Sequence, residues 1–129
     1  MQIYGVRSII PVMKRIIKAF GYSFAGVAAA WKSEPAFRQE IVVFAIGTIV
    51  AVLLPIGILT TALLISSMIL VLLMELANTA IESVVDRISD AHHTLSKKAK
   101  DVGSALVLLS IINACVVWGA VLLDLFLSV

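Results

Sequence analysis

Residues 58–73, ILTTALLISSMILVLL, carry no charge, and they run straight into residues 74–88, MELANTAIESVVDRI, which hold two glutamates, an asparagine and an aspartate. The first stretch has the composition of a membrane span. Counting from Glu75, residues Asn78, Thr79, Glu82 and Asp86 recur at helical spacing and align within roughly 60° of one line. Several acids on one stripe of a membrane helix repel each other in lipid. The stripe must therefore face protein or water, and it needs cations or protons.

The depth of the stripe follows from helix rise. From Ile58 to Glu75 a helix climbs about 26 Å at about 1.5 Å per residue, against a hydrocarbon core about 30 Å thick. Glu75 is expected at the edge of the acyl region, and Glu82 about 10 Å further on, at headgroup or cytosol level. A carboxylate at the first depth can reach a lipid hydroxyl. One at the second can hold a hydrated divalent ion. Mg²⁺ prefers oxygen ligands and commonly keeps its waters while bridging one or two carboxylates to phosphates. Glu34 and Glu40 could supply further acids at the same level. Asn78 and Thr79 alone would read as interhelical hydrogen-bonding residues, and Ser66, Ser67 and Ala62 as close-packing positions.

The rest of the chain fits a polytopic membrane protein. It has 129 residues, 61% hydrophobic and 14% charged, with a mean hydropathy of +1.11. A soluble domain is roughly 45–50% apolar and about 25% charged. Residues 41–74 and 102–123 carry no charge. Pro55-Ile56-Gly57 interrupts the first block as a turn signal. The spacing predicts spans near 37–54, 58–84 and 103–126 in one domain covering 1–129.

The 10 Lys and Arg fall in two groups. Arg7, Lys14, Arg15, Lys18, Lys32 and Arg38 precede or open the first span. Arg87, Lys97, Lys98 and Lys100 lie between the second and third. The positive-inside rule then puts the N-terminus and the 85–102 loop in the cytoplasm and the C-terminus outside. No secretory signal is expected, because Lys14, Arg15 and Lys18 interrupt the early apolar residues. Cys115 stands alone in the third span, so no intrachain disulfide can form, and it reads as a buried membrane cysteine.

Over about 7–33, residues Ile9, Val12, Met13, Ile16, Phe20, Phe24, Val27 and Trp31 share one broad helical face, and Arg7, Lys14, Lys18 and Lys32 lie opposite. This predicts an amphipathic helix in the membrane interface, its cations toward anionic headgroups. A helix packed on other protein is the competing reading. Pro11 and Gly21 weaken it, toward two short pieces.

Basic and titratable groups for the acidic stripe would come from a loop over 92–101 that holds His92, His93, Lys97, Lys98, Lys100 and Asp101. Histidines in a polar loop are commonly solvated. Lysines near a membrane bind anionic lipid, and beside carboxylates they can equally bind a polyphosphate. No Walker A sequence and no kinase H-R-D or D-F-G occurs. The residues alone lead to a membrane protein with an acidic, cation-binding site at the cytoplasmic interface.

The segments RIIKAFGYSFAG (15–26), AAWKSEPAFRQE (29–40), LLISSMILVLLMELANTAIESVVDRI (63–88) and HHTLSKKAKDVGSA (92–105) resemble the bacterial integral-membrane diacylglycerol kinases. The most specific part is E-L-x-N-T-A-I-E-x-V-V-D followed by A-K-D. The resemblance implies an all-α homotrimer in the bacterial cytoplasmic (inner) membrane, with a surface helix, three spans and active sites shared between subunits. It implies transfer of the ATP γ-phosphoryl group to diacylglycerol, giving phosphatidic acid, with Mg²⁺. It implies Glu75 as general base and Glu34 and Glu82 as metal carboxylates. Nucleotide contacts are implied at Arg15, Tyr22, Ala91, His92, His93, Lys100 and Asp101, besides the two metal carboxylates. Substrate contacts are implied at Trp31, Ala36, Phe37, Arg38, Gln39, Glu40, Glu75, Asn78 and Ser104, with further lipid contacts in parts of 19–24, 28–31, 53–56 and 118–123. No nucleic-acid partner is expected.

Phe24, Ala28, Thr61, Ser89, Ala91 and Lys97 depart from the family's usual residues, and these departures bear on lipid contacts and fine ATP contacts, not on the carboxylate centre. A sister branch phosphorylates undecaprenol. There E-R-N-x-x-x-H commonly stands where this chain has EPAFRQE, which resembles the diacylglycerol branch. A reading of another class is a trimeric channel or scaffold, which would spread acids along a span rather than cluster them at one end.

Overall fold

The computed structural model describes residues 6–89 and 91–127, with side chains from Pro11 onward. The face assignments of Arg7 and Ile9 lie outside the described side chains. Among the described residues all regular structure is helical: α1 (Val6–Ser33), α2 (Pro35–Leu53), α3 (Ile58–Ile88) and α4 (Thr94–Leu127). The chain divides into two compact units, one ending at Ser33 and one beginning at Glu34.

The first unit contains α1, a single helix that passes through both Pro11 and Gly21. The expected division into two pieces does not occur. Pro11 lies close to the helix start, where its missing N–H interrupts one bond of the ladder. Gly21 costs only about 1 kcal/mol against alanine.

The second unit contains α2, α3 and α4, each long and apolar enough to cross a membrane. Glu34 takes an extended backbone and Pro35 follows as the first helical residue of α2. Proline suits that position, since its fixed φ is helical and its missing N–H would have no partner there. α2 ends where Leu54 turns extended, its N–H still bonded to the Val50 carbonyl at 3.0 Å. The Pro55-Ile56-Gly57 turn stands where the sequence predicts it, and α3 begins at Ile58.

α3 continues unbroken through the acidic stripe to Ile88, and α4 begins at Thr94. The expected 92–101 loop is therefore corrected to a short link that ends at His93. Lys97, Lys98, Lys100 and Asp101 occupy the first turns of α4. These residues hold a helix because Lys97 and Asp101, four apart, form an ion pair along its side, and because His93 caps its start. The His93 Nδ1 accepts the Leu95 N–H at 3.2 Å, and the His93 carbonyl accepts the Lys97 N–H at 3.0 Å.

α3 packs against both α2 and α4, whereas α2 and α4 do not pack on each other among the described residues. Phe37, Ala51, Leu64, Met68 and Val71 form the buried apolar seam. Two serines in the packing are satisfied within their own helices. Ser67 donates to the Leu64 carbonyl and Ser110 to the Val107 carbonyl, each at 2.7 Å. Of the predicted close-packing residues, Ser67 is buried, while Ala62 and Ser66 are exposed in the single chain.

Where α2 and α4 diverge, a groove of about 650 Å³ opens over α3, lined mainly by apolar side chains such as Val43, Phe44, Gly47, Met68 and Trp118. Cys115, expected to be buried, lines this groove and is exposed. Outside the groove, Ile49, Leu63, Leu70, Leu109 and Val116 all face outward. An apolar surface this extensive on three long helices requires cover by lipid or another subunit.

Candidate active site

The acidic stripe of α3 is graded in exposure. Glu75 is 5% exposed; Asn78, Thr79 and Glu82 are half-buried; Asp86 is exposed. The side chains share a face at helical spacing, and α2 and α4 cover its inner end. Burial of a carboxylate this completely is costly unless a partner or a proton offsets it.

Two elements bring further acids to Glu75. Glu34, just ahead of α2, makes no side-chain bond to the helix start, so its carboxylate is not consumed in capping. Glu75 feels the charges of Glu34 and Glu82, and Glu40, on the second turn of α2, feels that of Glu75. Glu34, Glu40 and Glu82 thus each lie within electrostatic reach of Glu75. Glu40 also lines the apolar groove, so the groove runs up to the acidic cluster.

Several polar atoms here are enclosed without a hydrogen bond: Glu40 Oε2, Asn78 Oδ1 and Thr79 Oγ1. Asn78 uses its other end, donating Nδ2 to Glu82 Oε1 at 3.2 Å. This bond fixes the rotamers of both side chains along one turn of α3. Against the far side of the Asn78 amide lies Gly103 of α4. A Cβ on Gly103 would overlap Asn78 Oδ1, lie 3.4 Å from Asn78 Cγ and approach Ile81 Cδ1 at 3.6 Å. Glycine inside a helix costs roughly 0.5–1 kcal/mol relative to alanine, and here it permits this close approach. The sequence reading missed Gly103. Its available signal was weak: a glycine inside a helical pattern, two residues after the A-K-D string.

The basic groups come from α4. The Lys100 ammonium binds Asp86 Oδ1 at 2.6 Å and also feels Glu82. Asp101 pairs with Lys97. With Nδ1 engaged as acceptor, His93 has Nε2 left for a donor role. Ala91 and His92 lie exposed in the link, where the Ala91 N–H bonds to Ser89 Oγ at 3.0 Å. Ser104 is exposed beside Gly103.

Of the remaining predicted site residues, Ala36, Arg38 and Gln39 stand on the first turns of α2, and Ala36 and Gln39 line the groove. Phe37, between them, is 2% exposed and belongs to the packed seam. Arg15, Tyr22 and Trp31 belong to α1, where Tyr22 is exposed. Glu34, Glu40, Glu75, Asn78, Glu82 and Lys100 form one connected group inside the second unit.

Among the described residues no three His, Cys, Asp or Glu side chains form a metal cage. The arrangement instead offers crowded carboxylates and one lysine at the end of a membrane-length helix. It suits a hydroxyl, a cation and a polyanion meeting at one place.

Comparison with known proteins agrees with that chemistry. A family model described as prokaryotic diacylglycerol kinase matches residues 21–122. A protein named diacylglycerol kinase from Escherichia coli (strain K12) is 52% identical over 104 residues, covering 81% of this chain and 85% of the relative. One of the same name from Pseudomonas aeruginosa is 44% identical over 111 residues, covering 86% and 90%. Another from Helicobacter pylori (strain 26695) is 40% identical over 115 residues, covering 89% and 90%.

Proposed function

The chain belongs to the prokaryotic diacylglycerol kinase family and is an enzyme of diacylglycerol kinase type, and from that premise we propose that it moves the ATP γ-phosphoryl group onto diacylglycerol, giving phosphatidic acid and ADP at the cytoplasmic face of the inner membrane. The observation that carries this reading is the convergence of Glu34, Glu40, Glu75 and Glu82 at the end of the apolar stretch of α3.

In the proposed mechanism the lipid hydroxyl approaches Glu75 from the bilayer side. Its oxygen forms a bond to the γ-phosphorus as the bond from that phosphorus to the β,γ-bridging oxygen breaks, and Glu75 takes the hydroxyl proton. Catalysis of such a transfer is mostly positioning and charge stabilisation. Its place suits Glu75 to this role, because an enclosed carboxylate at the end of the apolar stretch meets a hydroxyl arriving from the bilayer. Glu40, at the mouth of the groove, is suited to orient the glycerol end of the lipid. Lys100 offsets charge on the phosphates. Arg15, Tyr22, His93 and Asp101 are the remaining nucleotide-contact residues.

Mg²⁺ fits the donor set, since it takes one or two carboxylates together with phosphate oxygens and water and needs no protein cage. Glu34 and Glu82 would hold it, and it would supply neutralisation of phosphate charge. A homotrimer with shared sites is the proposed assembly, supported by the extensive outward apolar surface of α2, α3 and α4. The cationic N-terminal segment and the lysines of early α4 support a cytoplasmic N-terminus and an outside C-terminus.

The test is turnover by the purified protein in micelles with Mg-ATP and either diacylglycerol or undecaprenol. Phosphorylated diacylglycerol is expected. Phosphorylation of undecaprenol alone would move the chain to the sister specificity. No turnover with either lipid, together with ion flux in liposomes, would sink the kinase reading in favour of a channel.

A further inference from the structure

We propose that Gly103 is a positioning residue for Glu82, acting through the Asn78 amide. The inference rests on the reading of Glu82 as a metal-holding carboxylate. Gly103 is buried in the α3–α4 contact. Its Cα occupies the space beside Asn78 Oδ1, where any Cβ would overlap that oxygen. The oxygen is enclosed and without a hydrogen-bond partner, so no bond of its own holds it there. What holds it is the α4 backbone on one side and, at the other end of the amide, the bond from Nδ2 to Glu82 Oε1 at 3.2 Å.

The amide is thereby held between two surfaces. Turning it over would aim its carbonyl oxygen at the Glu82 carboxylate, two acceptors facing each other, which is unfavourable. A side chain at 103 would push Asn78 off this line. Glu82 would lose the donor that Asn78 supplies and with it a fixed orientation. Groups that orient a metal-binding carboxylate typically govern affinity by about 10–100-fold. The lack of a side chain at 103 is thus a requirement of the site as well as of helix packing.

The test measures Mn²⁺ affinity, as a stand-in for Mg²⁺, by electron paramagnetic resonance of free Mn²⁺ on the purified full chain in micelles with a non-hydrolysable ATP analogue. Gly103→Ala is expected to weaken Mn²⁺ binding by about tenfold or more. The KM for diacylglycerol, the helix content and the elution volume should stay as in the unsubstituted protein. Asn78→Ala should weaken binding by a similar factor. The double variant should be no worse than Asn78→Ala alone, within about twofold, because the overlapping oxygen is already gone.

Independent, multiplying losses in the double variant would overturn the proposal. So would unchanged affinity in Asn78→Ala, a variant that leaves the helix contact open whatever Gly103→Ala does to folding. Glu82→Ala separates the two readings. Unchanged Mn²⁺ affinity there overturns the metal role of Glu82. Lost affinity there, with normal affinity in Gly103→Ala, overturns the positioning role alone.

Discussion

Lys100 at the start of α4 binds Asp86 near the end of α3 at 2.6 Å, and this pair holds the ammonium beside the carboxylates rather than out in solvent. Both side chains remain substantially exposed, 40% for Lys100 and 61% for Asp86. Such pairs contribute little to stability, so the pair matters for where the charge sits. Lys100→Met should lower kcat by on the order of 100-fold, the usual effect of removing one group that stabilises transition-state charge. Thermal stability in micelles should be nearly unchanged. Asp86→Asn should leave stability equally unaffected and lower kcat far less. Equal kinetic losses in the two variants would show that Lys100 acts only as Asp86's partner.

Glu75 is the most buried acid of the cluster, 5% exposed. Glu75→Gln preserves shape and removes the proton acceptor. Turnover should drop by about 10²–10⁴-fold, the range for loss of a general base. Folding should be maintained, since a neutral amide costs less to bury than a charge surrounded by Glu34, Glu40 and Glu82. Glu75→Asp should retain partial activity. Wild-type rates for Glu75→Gln would remove the residue from the chemistry.

Glu40 belongs both to the acidic cluster and to the apolar groove, and its Oε2 has no hydrogen-bond partner. If that oxygen receives the free glycerol end of the lipid, Glu40→Gln should raise the KM for diacylglycerol by roughly tenfold, the worth of one hydrogen bond to a charged acceptor. The KM for ATP and kcat should change little. The same substitution removes one of several repelling charges, so thermal inactivation should become slower. A kcat loss matching that of Glu75→Gln would instead make Glu40 part of the proton-transfer step.

The three long helices and the acid stripe were legible because each depends on a local regularity. Uncharged runs mark membrane-length helices, Pro55-Ile56-Gly57 marks a turn, and 3.6-residue spacing sets Glu75, Asn78 and Glu82 on one face. The start of α4 was misread because clustered Lys97, Lys98, Lys100 and Asp101 resemble a solvated loop. The His93 cap that starts the helix needs backbone geometry to see, and the exposed Lys97–Asp101 pair, four residues apart, adds only a little to it. Spacing alone gave Glu34 and Glu40 no more than a depth shared with the stripe; it was the family resemblance that put them in one site with Glu75. Gly103 was invisible because its significance lies in a contact with another helix, and an isolated glycine carries no trace of what approaches it.

Gly47 offers a similar contact on the membrane side of the second unit. A Cβ there would overlap Met68 Sδ, lie 3.0 Å from Met68 Cε and 3.5 Å from Trp118 Cζ2. The obstructing atoms belong to the end of a flexible thioether, which can adjust where a backbone could not. Gly47→Ala should therefore fold and turn over near normally, with Met68 shifted toward the groove. Gly47→Leu asks for more room than Met68 can release and should destabilise by about 1–3 kcal/mol, as overpacking does, read as faster thermal inactivation in micelles. Pairing it with Met68→Ala should recover most of that loss, since the smaller side chain vacates the space. If Gly47→Leu with Met68→Ala stays as unstable as Gly47→Leu alone, Met68 is not what sets the α2–α3 approach. The limit would then lie at Trp118 or in the helix backbone.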